Sequence, residues 1–205
     1  MLGFYDYTVI LTYISLLISM GGIMFSVNGY LRISIFCLAL SGLCDMFDGK
    51  IARSKKDRTA DEKRFGVQID SLCDMVCFGV APAIICYNLG MHGITGIIIL
   101  LFYVLAGLIR LAYFNVIEEN RQMNTEDHQK YYHGLPITSM AIALPILFMF
   151  GRLLGREFIL SLHVLVLTIG ILFITDFKLK KPKNATLAIL VILVSIALLK
   201  IFHIG

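Results

Sequence analysis

Residues 45–74 decide how this chain folds, and they read DMFDGKIARSKKDRTADEKRFGVQIDSLCD. Four aspartates stand near the two ends of the stretch, at Asp45, Asp48, Asp70 and Asp74, and the sequence on either side is strongly apolar. An aspartate at the centre of a bilayer costs on the order of 3 kcal/mol on insertion scales. Four of them are therefore expected only where water, a counter-charge or a metal ion compensates their charge.

The composition places the chain in a membrane. Of 205 residues, 58% are hydrophobic and 16% are charged, and the mean hydropathy is +0.83. These values exclude a soluble globular domain, and abundant Leu, Ile, Phe and Met exclude a disordered or collagen-like chain. The net charge of +4 comes from Lys and Arg in short loops between apolar runs. Such loops set the orientation of membrane helices, so we predict no nucleic-acid partner.

Segments with little formal charge divide the chain into seven predicted spans, because a helix needs about 20 apolar residues to cross a bilayer. They lie at about residues 7–31, 33–44, 75–88, 93–109, 134–151, 158–175 and 184–199. A turn at Asn88, Gly90 and Gly93 separates the third span from the fourth. The last span is short, so six spans are the alternative. We predict one all-α membrane domain over 1–205, in which the C-terminal helix over 184–203 is additional to the first six.

Basic residues orient these spans. They concentrate between spans two and three, four and five, and six and seven, which all fall on one side of the membrane. By the positive-inside rule this side is the cytoplasm. The first residues lack a basic n-region and a cleavage site, so the first span is not expected to be a removed signal peptide. We predict a multi-pass protein of the cell membrane whose aspartates face the cytoplasm.

The positions of the cysteines favour a packing role over disulfide formation or metal binding. All five lie within apolar segments, so no disulfide framework is expected. Cys73 and Cys77 are one helical turn apart and would be soft metal ligands, but no His or further Cys stands at a zinc-site spacing nearby. Small apolar packing residues are the preferred interpretation.

The spacing of the aspartates predicts that they converge. Asp45 and Asp48 are three residues apart, and Asp70 and Asp74 are four apart, so each pair projects from one helix face. The two helices are joined by a short loop and must be antiparallel neighbours. Oxygen ligands at this density suit hard divalent cations such as Mg²⁺, Mn²⁺ or Ca²⁺ better than zinc or copper.

Small residues accompany the acids. Gly49, Ala52 and Gly66 leave open space beside the carboxylates, and Arg53 offers a cation to a phosphate or a partner carboxylate. Close helix packing would explain the small residues equally well if they stood alone. Together with the four acids, they predict a site in which metal ions bridge carboxylates to a pyrophosphate.

The ordered pattern resembles a family signature. It reads Asp45-x-x-Asp48-Gly49-x-x-Ala52-Arg53, followed by Gly66-x-x-x-Asp70-x-x-x-Asp74. It is similar to the signature of the CDP-alcohol phosphatidyltransferase family. The resemblance implies a six-helix core, usually dimeric, that opens to the cytoplasm. It also implies transfer of the phosphatidyl group of a CDP-linked lipid to an alcohol, with release of CMP.

The resemblance also implies residue roles. The metal ligands would be Asp45, Asp48, Asp70 and Asp74, holding two Mn²⁺ or Mg²⁺ ions, with Ca²⁺ as another ion able to bind. Asp74 would also be the general base. Gly49, Ala52 and Gly66 would make room for the cytidine nucleotide, with Arg53 nearby. Spacing alone leaves open which acid is the base and which acids are only ligands.

Three further strings resemble one branch of the family, the membrane-embedded (type II) phosphatidylserine synthases. They are DSLCDMVCFGVAP at 70–82, RLAYFN at 110–115 and GLP at 134–136. The resemblance implies CDP-diacylglycerol and L-serine as substrates and phosphatidylserine and CMP as products. Tyr113 departs from the branch pattern and is not placed in the site. The alternatives are other acceptors, namely inositol phosphate or glycerol phosphate, and the synthesis of archaetidylserine.

Polar residues in the other helices are candidates for substrate contacts. Arg110 continues the helix of the fourth span just beyond its charge-free part. A buried guanidinium requires an anion, which would be the serine carboxylate or a lipid phosphate. Snorkelling to the headgroups or pairing with an aspartate are the alternatives. Ser71 and Asn115 are further candidates for binding serine or phosphate. Thr12 and Ser15 share a face of the first span, where hydrogen bonding within the helix is expected.

A different class of protein would also place acids in a membrane. The same carboxylates would suit a divalent cation transporter. Carriers need a pathway through the membrane, whereas these four acids gather near one surface, so an enzyme is the preferred hypothesis.

Overall fold

The computed structural model describes residues 3, 7–54, 59–123, 131–180, 195–196 and 198–200. The helices in these ranges are α1 (Ile10–Val27), α2 (Leu31–Ser54), α3 (Ala60–Asp74), α4 (Ala81–Asn88), α5 (Ile94–Met123), α6 (Met140–Met149), α7 (Gly151–Leu154) and α8 (Phe158–Ile174). A π-helical segment, Met75–Val80, joins α3 to α4 without a break. Strands β1 (Tyr131–His133) and β2 (Lys178–Lys180) form one short antiparallel ladder.

This is an all-α membrane protein. Four helical stretches are long and apolar enough to cross a bilayer: Ile10–Val27, Ala60–Asn88, Ile94–Glu119 and Gly151–Ile174. A shorter apolar helical stretch covers Ile137–Met149, and α2 has 24 residues but carries the charges of the signature. These six segments correspond to the first six predicted spans. The predicted seventh span, 184–199, lies mostly outside the described residues.

The third span begins well before the expected position. The absence of formal charge predicts a start at Met75, whereas the helix begins at Ala60 and runs for 29 residues. A capping box starts it: the Thr59 hydroxyl accepts a hydrogen bond from the Glu62 amide at 3.2 Å, and the Thr59 amide donates to Glu62 Oε2 at 2.7 Å. The boundary from charge alone is wrong because charged residues form the first turns of this helix. Asp70 and Asp74 therefore lie inside a long helix.

Small and polar side chains pack α1 against α2. A Cβ added at Gly22 would lie 2.9 Å from the Cβ of Cys37, so this glycine allows the close approach. The Ser15 hydroxyl lies 2.7 Å from the Ser41 hydroxyl, and Ser34 Oγ donates to the Gly22 carbonyl at 2.8 Å. The expectation that Ser15 bonds within its own helix is wrong, since its hydroxyl pairs across the interface.

The predicted turn between spans three and four is confirmed. The chain reverses between α4 and α5, and Gly90 adopts a φ of +130°, which favours glycine. Asn88 Nδ2 donates to Ser26 Oγ at 2.9 Å and ties this turn to the end of α1.

Three helices finish at the same end of the bundle, which we call the basic end because the Lys-rich and Arg-rich segments follow α2, α5 and α8. The β1–β2 ladder joins the segment before α6 to the segment after α8. Ser71 in α3 bonds Asn115 in α5, so the last turns of α5 lie beside α3. The three basic segments therefore begin on one side, as the sequence predicts.

Candidate metal centre

Three aspartates meet between α2 and α3. One carboxylate oxygen each from Asp45, Asp70 and Asp74 lies within 4.8 Å of the other two. Oxygens that share one divalent cation sit about 2.0–2.6 Å from it, so they are at most about 5 Å apart. The separation in the structure therefore fits three ligands of a single ion. In the described ranges this is the one group of three or more His, Cys, Asp or Glu residues with such geometry.

Asp48 lies beside this group and is held from the first helix. Its side chain is buried, and its Oδ2 accepts a hydrogen bond from the Thr12 hydroxyl at 3.1 Å. Its carboxyl group lies within hydrogen-bonding reach of Asp70, and that of Asp45 within reach of Asp74. The four acids thus form two pairs that bridge α2 and α3. Ionised carboxylates this close repel one another strongly where water is excluded, unless protons or a cation compensate their charge.

The donor chemistry fits a hard cation. The candidate ligands are carboxylate oxygens, which suit Mg²⁺, Mn²⁺ or Ca²⁺. All five cysteines are free, and the Cys77 thiol lies 3.8 Å from the Ser15 hydroxyl. This contact agrees with the packing interpretation of the cysteines.

The small residues of the signature divide into two sets. Gly49 and Gly66 are half-buried on α2 and α3, next to Asp48 and one turn before Asp70. Ala52 and Arg53 belong to α2, but their side chains lie outside the described part of the structure. The predicted nucleotide contacts of all four residues stay predictions.

Ser71 and Asn115 bond to each other. Ser71 Oγ donates to Asn115 Oδ1 at 2.6 Å, and Asn115 Nδ2 donates to Gln68 Oε1 at 3.5 Å. These contacts hold α3 against α5 directly beside Asp70. The predicted binding of serine or phosphate by Ser71 and Asn115 stays a prediction.

Arg110 is buried in the bundle, with 7% of its surface exposed. Its Nε donates to the Leu135 carbonyl at 3.0 Å, in the segment that leads into α6. This burial argues against snorkelling, because the side chain points into the protein. Arg110 lies on α5 between Tyr103, whose hydroxyl donates to the Phe78 carbonyl, and Asn115, which bonds Ser71. Its position along the bundle is therefore close to that of Asp74.

The contact between Thr12 and Asp48 is the part of the site that sequence reasoning missed. Hydrogen bonding within α1 is the expected role of Thr12, and the structure directs its hydroxyl to the aspartate of α2 instead. The signal was present in the sequence, because the hydroxyl residues Thr12, Ser15 and Ser19 recur at helical spacing on one buried face.

Comparison with known proteins agrees with the signature. A family model described as CDP-alcohol phosphatidyltransferase matches residues 8–175. The chain is 40% identical over 108 residues to a CDP-diacylglycerol-serine O-phosphatidyltransferase of Saccharomyces cerevisiae. It is 30% identical over 189 residues to the protein of the same name from Helicobacter pylori. It is 33% identical over 130 residues to an archaetidylserine synthase of Methanothermobacter thermautotrophicus.

These matches cover the proteins unequally. The yeast match covers 51% of this chain and 38% of the yeast protein. The Helicobacter match covers 87% of this chain and 75% of the relative. The Methanothermobacter match covers 63% of this chain and 52% of the relative. The chain thus matches less than two thirds of the length of the yeast and Methanothermobacter proteins. All three matches are to proteins named for placing a serine headgroup on a lipid.

Proposed function

Because the chain belongs to the CDP-alcohol phosphatidyltransferase family, we propose that it transfers the phosphatidyl group of CDP-diacylglycerol to the hydroxyl of L-serine and releases CMP. The observation that carries this proposal is the meeting of Asp45, Asp70 and Asp74 between two membrane helices. The names of the relatives support serine as the acceptor.

The four aspartates would hold two divalent ions, Mn²⁺ or Mg²⁺, through Asp45, Asp48, Asp70 and Asp74. When bound, such ions neutralise the pyrophosphate of the CDP-lipid and stabilise the departing CMP. The chain itself supplies the fixed geometry, because the carboxylates of α2 and α3 meet and Thr12 of α1 donates to Asp48. Arg53, Gly49, Ala52 and Gly66 would form the nucleotide side of the site.

Asp74 would act as the general base. The serine hydroxyl gives its proton to the Asp74 carboxylate as its oxygen forms a bond to the phosphorus that bears diacylglycerol. The bond from this phosphorus to the oxygen of CMP breaks, and CMP leaves with the electron pair. A carboxylate within hydrogen-bonding distance of the hydroxyl is sufficient for this proton transfer.

Arg110 would bind the carboxylate of serine or the lipid phosphate. It is a buried cation on α5 at about the depth of Asp74, so an anion bound to it would stand near the reacting phosphorus. Ser71 on α3 and Asn115 on α5 bond each other between these helices and would add hydrogen bonds to that headgroup.

The placement in the cell follows from charge. We propose that the basic end faces the cytoplasm of a cell membrane, because short basic segments are retained there. The site would then open to the compartment that contains CMP and serine. A homodimer and a single domain over 1–205 complete the proposal on the basis of the family resemblance.

The test is CMP release by purified protein in detergent, with CDP-diacylglycerol and Mn²⁺, with and without L-serine. We expect release only with serine, its loss on addition of EDTA, and its recovery with excess Mn²⁺ or Mg²⁺. Asp74→Asn should lower the rate by at least about 100-fold, the lower range for a general base. Asp176→Asn, an exposed acid after α8, is the matched control and should leave the rate unchanged.

Other outcomes select other functions. CMP release that does not depend on serine but rises with inositol phosphate or glycerol phosphate would agree with the family and identify a different acceptor. Greater release from a CDP-archaeol lipid would favour archaetidylserine synthesis, as the Methanothermobacter relative suggests. Metal flux into vesicles, without release from any CDP-lipid, would favour the transporter.

A further inference from the structure

The helix that carries Asp70 and Asp74 changes its winding directly after Asp74. Residues Met75–Val80 are π-helical, and the Ala81 amide bonds the Val76 carbonyl five residues earlier. Both flanking segments, α3 and α4, are α-helical. Such single π turns occur mostly within α-helices and often at functional sites.

A π turn alters the direction of every side chain beyond it. Each residue of an α-helix rotates the chain by about 100°, and a π turn accommodates one more residue than an α turn. Without this additional residue, the side chains of α3 would be rotated about the helix axis by about 100° relative to those of α4. Since the buried face of α4 is fixed by Pro82, Ile85 and Cys86, the rotation would move Asp70 and Asp74 away from α2.

Two residues favour the π turn at this point. Pro82 has no amide hydrogen, and in a regular α-helix its ring would meet the Phe78 carbonyl four residues earlier. The Tyr103 hydroxyl of α5 donates a hydrogen bond to that same carbonyl. Tyr103 thus provides a donor at the position where Pro82 provides none.

Tyr103 is firmly placed. It is fully buried, and its ring lies 5.5 Å from that of Phe173 in α8. A Cβ added at Gly170 would lie 3.4 Å from the Cα of Tyr103, so α8 passes close behind it. The hydroxyl therefore connects the π segment to the packed wall of α5 and α8.

We propose that Tyr103 is a positioning residue for the metal centre, which holds the π turn and through it directs Asp70 and Asp74 toward α2. The inference rests on the proposed function only in taking the bound ions to be those of the transfer reaction. Tyr103 does not touch the carboxylates, and its effect passes through the Phe78 carbonyl.

The test is binding of Mn²⁺ to purified protein without substrates, followed by electron paramagnetic resonance. Tyr103→Phe removes only the hydroxyl and should weaken Mn²⁺ binding at least fivefold. Tyr113→Phe is the matched control, because Tyr113 is on the same helix but 50% exposed, and it should bind as the parent does. In CMP release, Tyr103→Phe should raise the half-saturating Mn²⁺ concentration by the same factor and leave the KM for serine unchanged.

A second variant, Pro82→Ala, tests the same hypothesis if Tyr103→Phe does not fold. Pro82→Ala restores an amide that can bond the Phe78 carbonyl, so it should favour a regular helix and also weaken Mn²⁺ binding. Combined with Tyr103→Phe, its effect should be smaller than the product of the two single effects, since both act on one carbonyl.

Two results separate the proposals. Unchanged Mn²⁺ affinity in folded Tyr103→Phe, or in Pro82→Ala when Tyr103→Phe does not fold, would overturn the role of Tyr103. Parent protein that binds Mn²⁺ but releases no CMP with any acceptor would overturn the proposed function and leave the role of Tyr103 intact if Tyr103→Phe still weakens binding.

Discussion

At the scale of single residues, the site depends on side chains that orient carboxylates. Thr12 reaches from α1 to Asp48 on α2, and both side chains are buried. A hydrogen bond to a charged group away from water contributes about 1.5–3 kcal/mol. Thr12 therefore holds Oδ2 of Asp48 in a fixed position beside the acids of α3.

Replacing Thr12 by valine should weaken the site without changing its shape. Thr12→Val removes the hydroxyl, so Asp48 loses this donor, and we expect the half-saturating Mn²⁺ concentration for CMP release to rise roughly 10-fold or more. Thr12→Ser should retain most of the parental value. Thr95→Val, at the exposed start of α5, is the control. Equal metal dependence in Thr12→Val and the parent would contradict this role.

At the scale of helices, α2 is held in place by a close approach to α6. A Cβ added at Gly42 would lie 2.6 Å from the Cβ of Ala141, a distance that neither side chain can relieve by rotation. Gly42 is one turn before Asp45, so the contact sets the position of α2 where its acids begin. Glycine is needed here for proximity, because the backbone is ordinary helix.

A methyl group at this contact should destabilise the protein. Gly42→Ala should lower the free energy of unfolding by about 1–3 kcal/mol, as overpacked sites do, and lower metal affinity as α2 shifts. Thermal unfolding in detergent measures the first effect. Gly21→Ala on α1 is the control, since a Cβ there meets nothing within 4 Å. Equal melting temperatures for Gly42→Ala and Gly21→Ala would contradict the packing argument.

The sequence predicts elements and the aspartate site better than it predicts contacts. The spacing of Asp45, Asp48, Asp70 and Asp74 is local, and only a short segment separates their two helices, so the meeting of their carboxylates could be predicted. The start of α3 was also readable, because Thr59 and Glu62 have capping-box spacing, although charge alone misplaced it. The bond from the Tyr103 hydroxyl to the Phe78 carbonyl joins a side chain of α5 to the backbone of the π-helical segment, and no local pattern specifies this pairing.

At the scale of the whole molecule, the two ends of the bundle differ. Lys180 belongs to the ladder at the basic end, whereas the Lys200 ammonium lies 5.9 Å from the ring centroid of Phe150, beyond α6 at the other end. An α-helix of eighteen residues is about 27 Å long, close to the thickness of a hydrocarbon core. We propose that the chain crosses between Lys180 and Lys200, as the predicted additional helix over 184–203 requires.

Cysteines introduced at opposite ends of the bundle should be labelled from opposite sides of the membrane. In intact bacterial cells, Lys200→Cys should react with a membrane-impermeant maleimide, and Thr59→Cys should react only after permeabilisation. Both residues are exposed, and the parent, whose five cysteines are buried or half-buried, gives the background. Labelling of both positions from the same side would contradict the crossing. Reversed labelling would instead contradict the proposed orientation.

The aspartates lie toward the basic end of the bundle, and this has a consequence for the membrane around the protein. Under the proposed function, a CDP-lipid would reach such a site from the adjacent leaflet, and the finished lipid would return to that leaflet while CMP left into the water beside it. On the proposed chemistry, each turnover exchanges one headgroup for another without moving a lipid across the bilayer. Supplying the opposite leaflet would then need a separate step that moves the lipid across, so the placement of these carboxylates would determine which leaflet receives the product first.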